Sequence, residues 1–420
     1  MTMDAGHSVP LLSIVIPTRN RARYAKSAIR SALKVPGPRM ELVVQDNSDD
    51  GELEEFAGTL HDPRVKYNRD RDKVDANRNF ERGAELATGR YITFLGDDDG
   101  VNPELLDAVS WCDAMGIEAI VTSRPAQYRW PDHRYRYYGS AFSGSLELSA
   151  FTGTVAWPDP DEELRSCARA AGGSAARLPR VYYGAVKRSS FDAVRDRTGT
   201  YFPGPSPDLS SAVALGTVVK RICWVDYPLF VPGASGRSMA GLGSVKKHIG
   251  RLEDWPHVPA KAVRDWSPLV PRFFGGPTIW GEDVVQALKA AGREDLLAEF
   301  NIPLLHAICA VFHPKEISIT LRNFYRALGQ ARKGRLRGTM EFLGSCVSIF
   351  ILRGRKLVER IRWASARPPG RRVKGVKDIE EAVDRLVALL REQDIRFADR
   401  IKDAADGGPR TTSGKTGGPG

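Results

Sequence analysis

The apolar positions of this chain fall first into short unbroken runs and later into longer runs of helical period. Leu11-Leu12-Ser13-Ile14-Val15-Ile16 is β-branched and almost wholly apolar. That predicts a strand buried on both faces within a parallel sheet. Pro17 stops it, and Thr18-Arg19-Asn20-Arg21 reads as a polar turn. Ala25, Ile29, Ala32 and Leu33 share one face of a helix over 22–33, which Pro36-Gly37-Pro38 breaks. A second strand, Glu41 to Gln45, ends in Asp46-Asn47-Ser48. A short helix over 52–56, a weaker strand over 65–67 and a helix over 77–87 follow. The run Tyr91 to Leu95 is a fourth strand, and it ends abruptly in Gly96-Asp97-Asp98-Asp99. Strand and helix alternate throughout, which predicts a doubly wound α/β sheet. No GxGxxG follows the first strand, so the ordinary dinucleotide fingerprint is absent.

Beyond the acidic stretch the pattern predicts a helix over 103–115, capped by Asn102, and a strand over 118–123. Tyr128 to Tyr138 alternates aromatics with arginines, as an exposed hairpin or edge strand would. A helix over 161–171, a strand over 180–186 and a short helix over 189–195 come next. Tyr201-Phe202-Pro203-Gly204-Pro205-Ser206-Pro207 is a proline-fixed loop that delivers Asp208 to the start of a helix reaching about Val219. Strands are expected at 222–225 and 229–231. Gly233 to Gly243 reads as a flexible loop with the length of a lid. Helices are expected over 282–291, 304–311, 317–331, 342–352 and 378–397, with a Pro/Arg/Gly linker at 364–374. The resulting division is a flexible N-terminus (1–9) and an α/β unit (10–235, halves 10–123 and 124–235). A Gly-rich loop with a helical extension (236–335), basic and amphipathic helices (336–403) and a disordered tail (404–420) complete it.

Composition narrows this picture. The chain has 420 residues, 42% of them hydrophobic, enough for a large core rather than a disordered polymer. Its five cysteines lie far apart, without zinc or disulfide spacing, and a reducing cytosol is the expected compartment. Met1 to Pro10 lacks the pattern of a signal peptide, and no apolar run reaches membrane-spanning length. The net charge of +11 is concentrated: between Thr320 and Arg372 the only acids are Glu341 and Glu359. Such a stretch suits an anionic membrane surface, nucleic acid or an anionic substrate, or is simply solvated surface. Phe342 to Leu352 is apolar but too short to cross a bilayer. It fits either a membrane interface or a buried helix.

Candidate chemistry sits at one edge of the expected sheet. Three adjacent carboxylates at a strand's carboxyl end raise each other's pKa unless a cation answers them, and oxygen-only ligands imply Mg²⁺ or Mn²⁺. An acidic turn leading into a helix is the plain alternative. Pro17-Thr18-Arg19-Asn20-Arg21 after the first strand, Asp46-Asn47-Ser48 after the second and Asp97-Asp98-Asp99 after the fourth stand in that order. The combination resembles family-2 glycosyltransferases of the GT-A fold, over roughly Leu11 to Pro103 and more loosely over Tyr182 to Leu215. The resemblance implies a GT-A-type doubly wound mixed sheet with a C-terminal, mainly helical extension. It implies a nucleotide-sugar pocket lined by Pro17, Thr18, Arg19, Arg21, Asp46, Asn79 and Asp97, and a divalent cation, Mn²⁺ or Mg²⁺, on Asp98 and Asp99. Gly96 departs from the pattern, standing where the family has its first metal-binding Asp, so either Asp97 takes over, with Asp97-Asp98-Asp99 as the triplet, or fewer protein ligands hold the metal. Inverting transfer needs a base on a separate element, and Asp208 occupies the place of the family's acidic residue. Glu282-Asp283 and His248 are the other candidates. The expected partners are a nucleoside-diphosphate sugar, a saccharide or lipid-linked acceptor and an anionic membrane surface. No nucleic acid is expected, and an oligomer is left open. The expected place is the cytoplasm, and peripheral docking on the inner face of the cytoplasmic membrane is left open. A nucleotidyltransferase would carry a Gly-rich loop after the first strand, and Thr18 to Arg21 has no glycine. A non-catalytic basic binding protein would have no need of the three acids.

Overall fold

The computed structural model describes residues 9–245, 248–255, 257–363 and 370–401. The expected disordered tail and most of the expected flexible N-terminus lie outside the described residues. The first half alternates as its apolar runs require: β1 (Leu12–Thr18), α1 (Ala22–Leu33), β2 (Met40–Asp46), α2 (Glu52–Gly58), β3 (Val65–Arg69), α3 (Ala76–Leu86) and β4 (Tyr91–Phe94). Every residue of β1, β2 and β4 is buried, which is why these strands read as continuous apolar runs. Next come β5 (Gly100–Val101), α4 (Leu105–Ala114), β6 (Ala119–Thr122), β7 (Ala126–Arg129), β8 (Ser145–Leu148), β9 (Val155–Ala156) and α5 (Pro160–Arg169). Then follow β10 (Gly184–Lys187), α6 (Arg188–Thr198), α7 (Pro207–Gly216), β11 (Ile222–Val225), β12 (Phe230–Val231), β13 (Gly233–Ala234) and α8 (Met239–Ser244).

The main sheet has eight strands in the order β3-β2-β1-β4-β10-β6-β11-β9. β3, β2, β1 and β4 are parallel neighbours, while β10 runs antiparallel to both β4 and β6. This is the mixed, doubly wound sheet expected from the sequence, and a helical C-terminal part follows it. One face is closed by a core that includes Tyr24, Ile29, Leu106 and Leu386. The other is closed by a core around Phe94, Phe191, Phe202 and Leu215.

The helical part comprises α9 (Ala260–Arg264), α10 (Gly276–Ala290), α11 (Glu294–Ala298), α12 (Ile302–Phe312), α13 (Ile317–Gln330) and α14 (Arg335–Trp363). Its core takes in Leu209, Ala212 and Val213 of α7 together with Leu288, Leu305 and Phe324. One helix therefore belongs to both bodies: α7 gives Ala214 and Leu215 to the sheet and its other face to the helical cluster.

Four local readings are corrected. Tyr128 and Trp130 are buried, so 128–138 is not simply a solvated edge; Arg134, Arg136, Tyr137 and Tyr138 are its exposed members. The stretch 233–243 contains β13 and α8 rather than one flexible loop. Asn102 does not cap α4; its Oδ1 accepts the Glu104 N–H at 3.1 Å, one turn before the helix settles. The segment read as a linker contains β14 (Arg371–Lys374), which pairs antiparallel with β8. It leads into α15 (Ile379–Glu392) and α16 (Phe397–Ile401), which return to the core of the α/β unit. Leu386 is fully buried there. Leu386→Ala is expected to lower stability by about 2–5 kcal/mol, read as a lower urea midpoint with an unchanged slope.

Candidate active site

The carboxyl ends of β1, β2 and β4 meet at one edge, and side chains from distant parts of the chain knit them together. Asn20 sits in the left-handed region at φ 56°, a conformation Asn tolerates. Its backbone N–H donates to Ser48 Oγ and its Nδ2 to Asp49, both at 2.8 Å, so the turn after β1 is tied to the turn after β2. Asn79 on α3 donates to the Thr18 carbonyl at 3.2 Å and fixes the end of β1 from below. Arg19 donates to the Val74 carbonyl at 3.1 Å. Pro17 is buried within β1. Asp46 is buried at the end of β2, accepting from Ser48 N–H and Tyr67 Oη, each at 2.8 Å.

Asp97, Asp98 and Asp99 are all buried, and each has a different set of partners. Asp97 accepts from Thr18 Oγ1 at 2.8 Å and from Arg21 Nε at 2.7 Å. Asp98 Oδ2 accepts from Ser235 Oγ at 2.6 Å and meets Arg21 Nη2 at 3.0 Å. Arg21 therefore bridges two carboxylates and reaches Ser235 Oγ at 2.9 Å as well. Burial works against its charge, but Asp97 and Asp98 hold its pKa above the usual arginine value. Asp97 is raised to about 6, by burial first and by repulsion from Asp98, with Arg21 opposing.

Asp99 turns the other way. Its Oδ1 accepts the Gly233 N–H at 2.6 Å; its Oδ2 accepts from Tyr182 and Tyr183 Oη at 3.0 Å and from the Gly96 N–H at 3.2 Å. Burial and Asp98 raise it to about 7 despite these donors. Tyr183 adopts φ 58°, a costly conformation for a bulky residue, of order 1–3 kcal/mol, and its hydroxyl ends on Asp99. The geometry also accounts for Gly96. A Cβ there would lie 2.2 Å from Tyr182 Oη and 2.4 Å from Asp99 Oδ2, so an Asp at this position has no room. At Gly233 a Cβ would lie 1.7 Å from the Asp98 carbonyl oxygen, which also accepts from Trp130 Nε1.

The structure thus brings Thr18, Arg21, Asp97 and Asp98 into one network with Asp99 beside it. Ser235, Gly233, Tyr182, Tyr183 and Trp130 are partners that sequence reasoning missed. The tyrosine pair next to Gly184 was a usable signal; nothing local marks Ser235.

Asp208 stands apart, exposed in the first turn of α7. Ser206, not Asp208, is the N-cap residue. Ser206 is held by Asp283, which accepts its backbone N–H at 2.8 Å and its hydroxyl. Asp283 and Glu282 are themselves fully buried. Burial pushes Asp283 well above the carboxylate range and Glu282 to about 7. Asp283 thus steadies the loop that carries Asp208, while Glu282 accepts from the Ser267 N–H at 2.7 Å and Gln286 Nε2 at 2.6 Å. His248 packs edge-on against Trp255 and Phe274, in an aromatic cluster.

Residues 13–159 match the family model described as Glycosyl transferase family 2. A Campylobacter jejuni protein named GalNAc(5)-diNAcBac-PP-undecaprenol beta-1,3-glucosyltransferase is 32% identical over 94 residues, 22% of this chain and 30% of that one. The succinoglycan biosynthesis protein ExoO of Rhizobium meliloti is 34% identical over 125 residues, 29% of this chain and 35% of that one. The chain spans about a third of the length of the curated relatives it matches. Among solved structures, S. aureus TarS 1-349 in complex with UDP-GlcNAc aligns with a TM-score of 0.48 at 16% identity, over 76% of this chain and 80% of that one. All three motifs of the sheet edge fall within residues 13–159, the segment that matches the Glycosyl transferase family 2 model.

Proposed function

We propose that this protein transfers a sugar from a nucleoside-diphosphate donor to a hydroxyl acceptor, with inversion, in the assembly of a surface or cell-wall glycan. One observation carries the reading: the carboxylate trio and Arg21 form a buried charged network at the sheet edge, while an exposed carboxylate, Asp208, stands on a separate, rigidly packed helix. Departure of the diphosphate builds negative charge, and the Arg21 guanidinium suits phosphate oxygens. Thr18, Arg19, Asp46 and Asn79 shape the nucleotide side. Asp208 takes the proton from the acceptor hydroxyl as it attacks, from the face opposite the leaving group.

The all-oxygen donor set fits Mg²⁺ or Mn²⁺, and Asp98 is the residue that would hold it. Asp99 is less suited, because protein donors already occupy both of its oxygens. No group of three acidic, histidine or cysteine side chains is arranged around one ion among the described residues. Magnesium commonly binds through one or two carboxylates plus substrate phosphates, so this does not count against Asp98. When bound, the cation would offset charge on the leaving diphosphate. The test is a thermal-shift screen of UDP-, GDP- and dTDP-sugars, each with and without Mn²⁺. Stabilisation by one nucleotide class is expected. No response to any of them would sink the reading.

A lipid-linked acceptor would place the enzyme at the inner face of a membrane, and α14 presents a suitable surface. Phe342 and Ile349 pack inward, whereas Leu336, Met340, Leu343, Val347 and Phe350 are each more than half exposed. Their spacing of four, three, four and three draws one apolar stripe along the helix. Arg335, Arg337, Arg353 and Arg355 flank the stripe, and Glu341 is already paired with Arg337. Two such basic faces would repel each other, which favours an anionic lipid surface over a second copy of the chain. No helix among the described residues is long and apolar enough to cross a membrane. The full chain is expected to sediment with anionic liposomes at low salt. Leu343→Glu together with Val347→Glu should release it, and sedimentation unchanged by that pair would remove the stripe as the docking face.

A further inference from the structure

A cavity of about 370 Å³ lies one layer of side chains away from the acidic trio. Tyr183 and Gly233 form part of its wall, and they donate to Asp99 at 3.0 and 2.6 Å. Neither Arg21 nor Asp98 lines it; Arg21 lines a separate cavity of about 290 Å³. A donor diphosphate answered by Arg21 and Asp98 leaves the larger cavity to the other substrate. Its volume is that of a small-ligand site rather than of a single ion.

The polar groups left unused around this cavity are mostly donors. Arg129 donates from Nε to Tyr135 Oη at 2.9 Å and from Nη2 to Gln127 Oε1 at 2.8 Å. Those bonds leave Arg129 Nη1, the Tyr135 O–H and the Gln127 amide N–H groups to donate. Arg124 is exposed and makes no hydrogen bond or ion pair among the described residues; its guanidinium lies over the Tyr183 ring, 5.6 Å from the centroid. His133 adds no charge, since burial first and Arg129 second lower its pKa. No aspartate or glutamate lines the cavity. A site for a neutral sugar needs acceptors for hydroxyl protons, whereas two guanidinium groups among donors suit an oxyanion. The hairpin that supplies Tyr135 adds an aromatic surface at the rim. It is tied to α8 by the Arg136 N–H on the Ser244 carbonyl at 3.1 Å, and it carries Tyr137 and Tyr138, 76% and 57% exposed. The Tyr138 ring meets that of Tyr135 edge-on, centroids 6.3 Å apart, so the rings run from the cavity outward. Such rings, apolar on the face and polar at the tip, suit the two-sided surface of a sugar. We propose that this cavity seats an acidic sugar residue of the acceptor, its carboxylate or phosphate oxygens held by Arg124 and Arg129 and the adjoining sugar resting on Tyr137 and Tyr138. The role as acceptor rests on the glycosyltransferase reading; the preference for an acid rests on the cavity's own residues.

The test is a ligand-observed NMR titration of the full chain with two pairs of saccharides: trigalacturonate against maltotriose, and glucose 6-phosphate against glucose. In at least one pair the acid is expected to bind about 10-fold or more tightly than its neutral counterpart, the worth of a charge-assisted hydrogen bond. The pair that responds tells carboxylate from phosphate, and either supports the site. Arg124→Gln and Arg129→Gln should each remove most of that margin. Arg30→Gln, which takes an equal charge from an exposed position on α1, should leave it in place. No preference for acid over neutral in either pair, an unchanged preference in Arg124→Gln, or an equal loss in Arg30→Gln overturns the proposal. If Arg129→Gln does not fold, having lost its ties to Tyr135 and Gln127, Arg124→Gln at its exposed position decides by the same titrations. Acidic sugars bound through Arg124 in a protein that no sugar nucleotide stabilises would keep the site and overturn the glycosyltransferase reading. Stabilisation by a sugar nucleotide with no preference for acids would do the reverse.

Discussion

Asp208→Asn is expected to lower transfer by about 10²- to 10⁴-fold while donor affinity stays where it was. The substitution keeps size and polarity and removes the ability to accept a proton. Its position makes the result interpretable. Leu209 to Gly216 are all buried, so α7 is fixed by the sheet core on one side and by the helical cluster on the other. The loop before it is fastened through Ser206 to Asp283. An exposed side chain on so firmly held a helix can change without moving its surroundings, and the folded state should be untouched. The measurements are kcat and KM for transfer together with calorimetric donor affinity. A drop in kcat with unchanged donor binding is the signature of a lost base. Transfer at the wild-type rate would remove Asp208 from the mechanism.

What the sequence disclosed and what it hid divide along contact distance. β1, β2 and β4 were legible because a parallel strand buried on both faces has no polar alternation to obscure it. The helix over 22–33 was legible because its apolar face repeats within a few turns. The acidic trio was legible because it is contiguous. Its partners were not: Ser235 reaches Asp98 across 137 positions, and Gly233 reaches Asp99 across 134. A Gly- and Ser-rich stretch reads as a loose loop when the carboxylates it fastens are out of view. The same blindness affected 364–374, whose proline, arginine and glycine content suggested a linker. A short edge strand with exposed arginines gives no apolar signal, and only its pairing with β8 reveals β14. At 128–138 the alternation was read correctly but turned inside out, since Tyr128 and Trp130 face the core. The departure at Gly96 is explained only by the fold, because Asp99 folds back onto the Gly96 N–H and fills the space a side chain would need.

Arg21→Met is expected to be the most destabilising substitution at the site, costing about 3–5 kcal/mol at pH 8, because it strands two buried carboxylates without their cation. Its pH dependence gives the mechanism away. In the intact protein Asp97 is raised to about 6, above its ordinary value of 3.8. The folded state therefore keeps a proton that the unfolded chain has released, and Asp97's contribution to stability falls as pH climbs from about 4 to 6, then levels off. Without Arg21 the burial and Asp98 repulsion that raise Asp97 are no longer opposed, so its pKa climbs further and the loss continues to higher pH. Near pH 4.5 Asp97 is largely protonated in both proteins and gains little from Arg21, so the deficit there should be much smaller than at pH 8. Urea denaturation at the two pH values measures the difference. A pH-independent deficit would mean that Arg21 serves by packing against Tyr24, whose ring lies 4.8 Å from its guanidinium carbon, rather than by neutralising the carboxylates. The same variant should bind donor poorly at pH 8, since the diphosphate would meet Asp97 and Asp98 without the intervening positive charge.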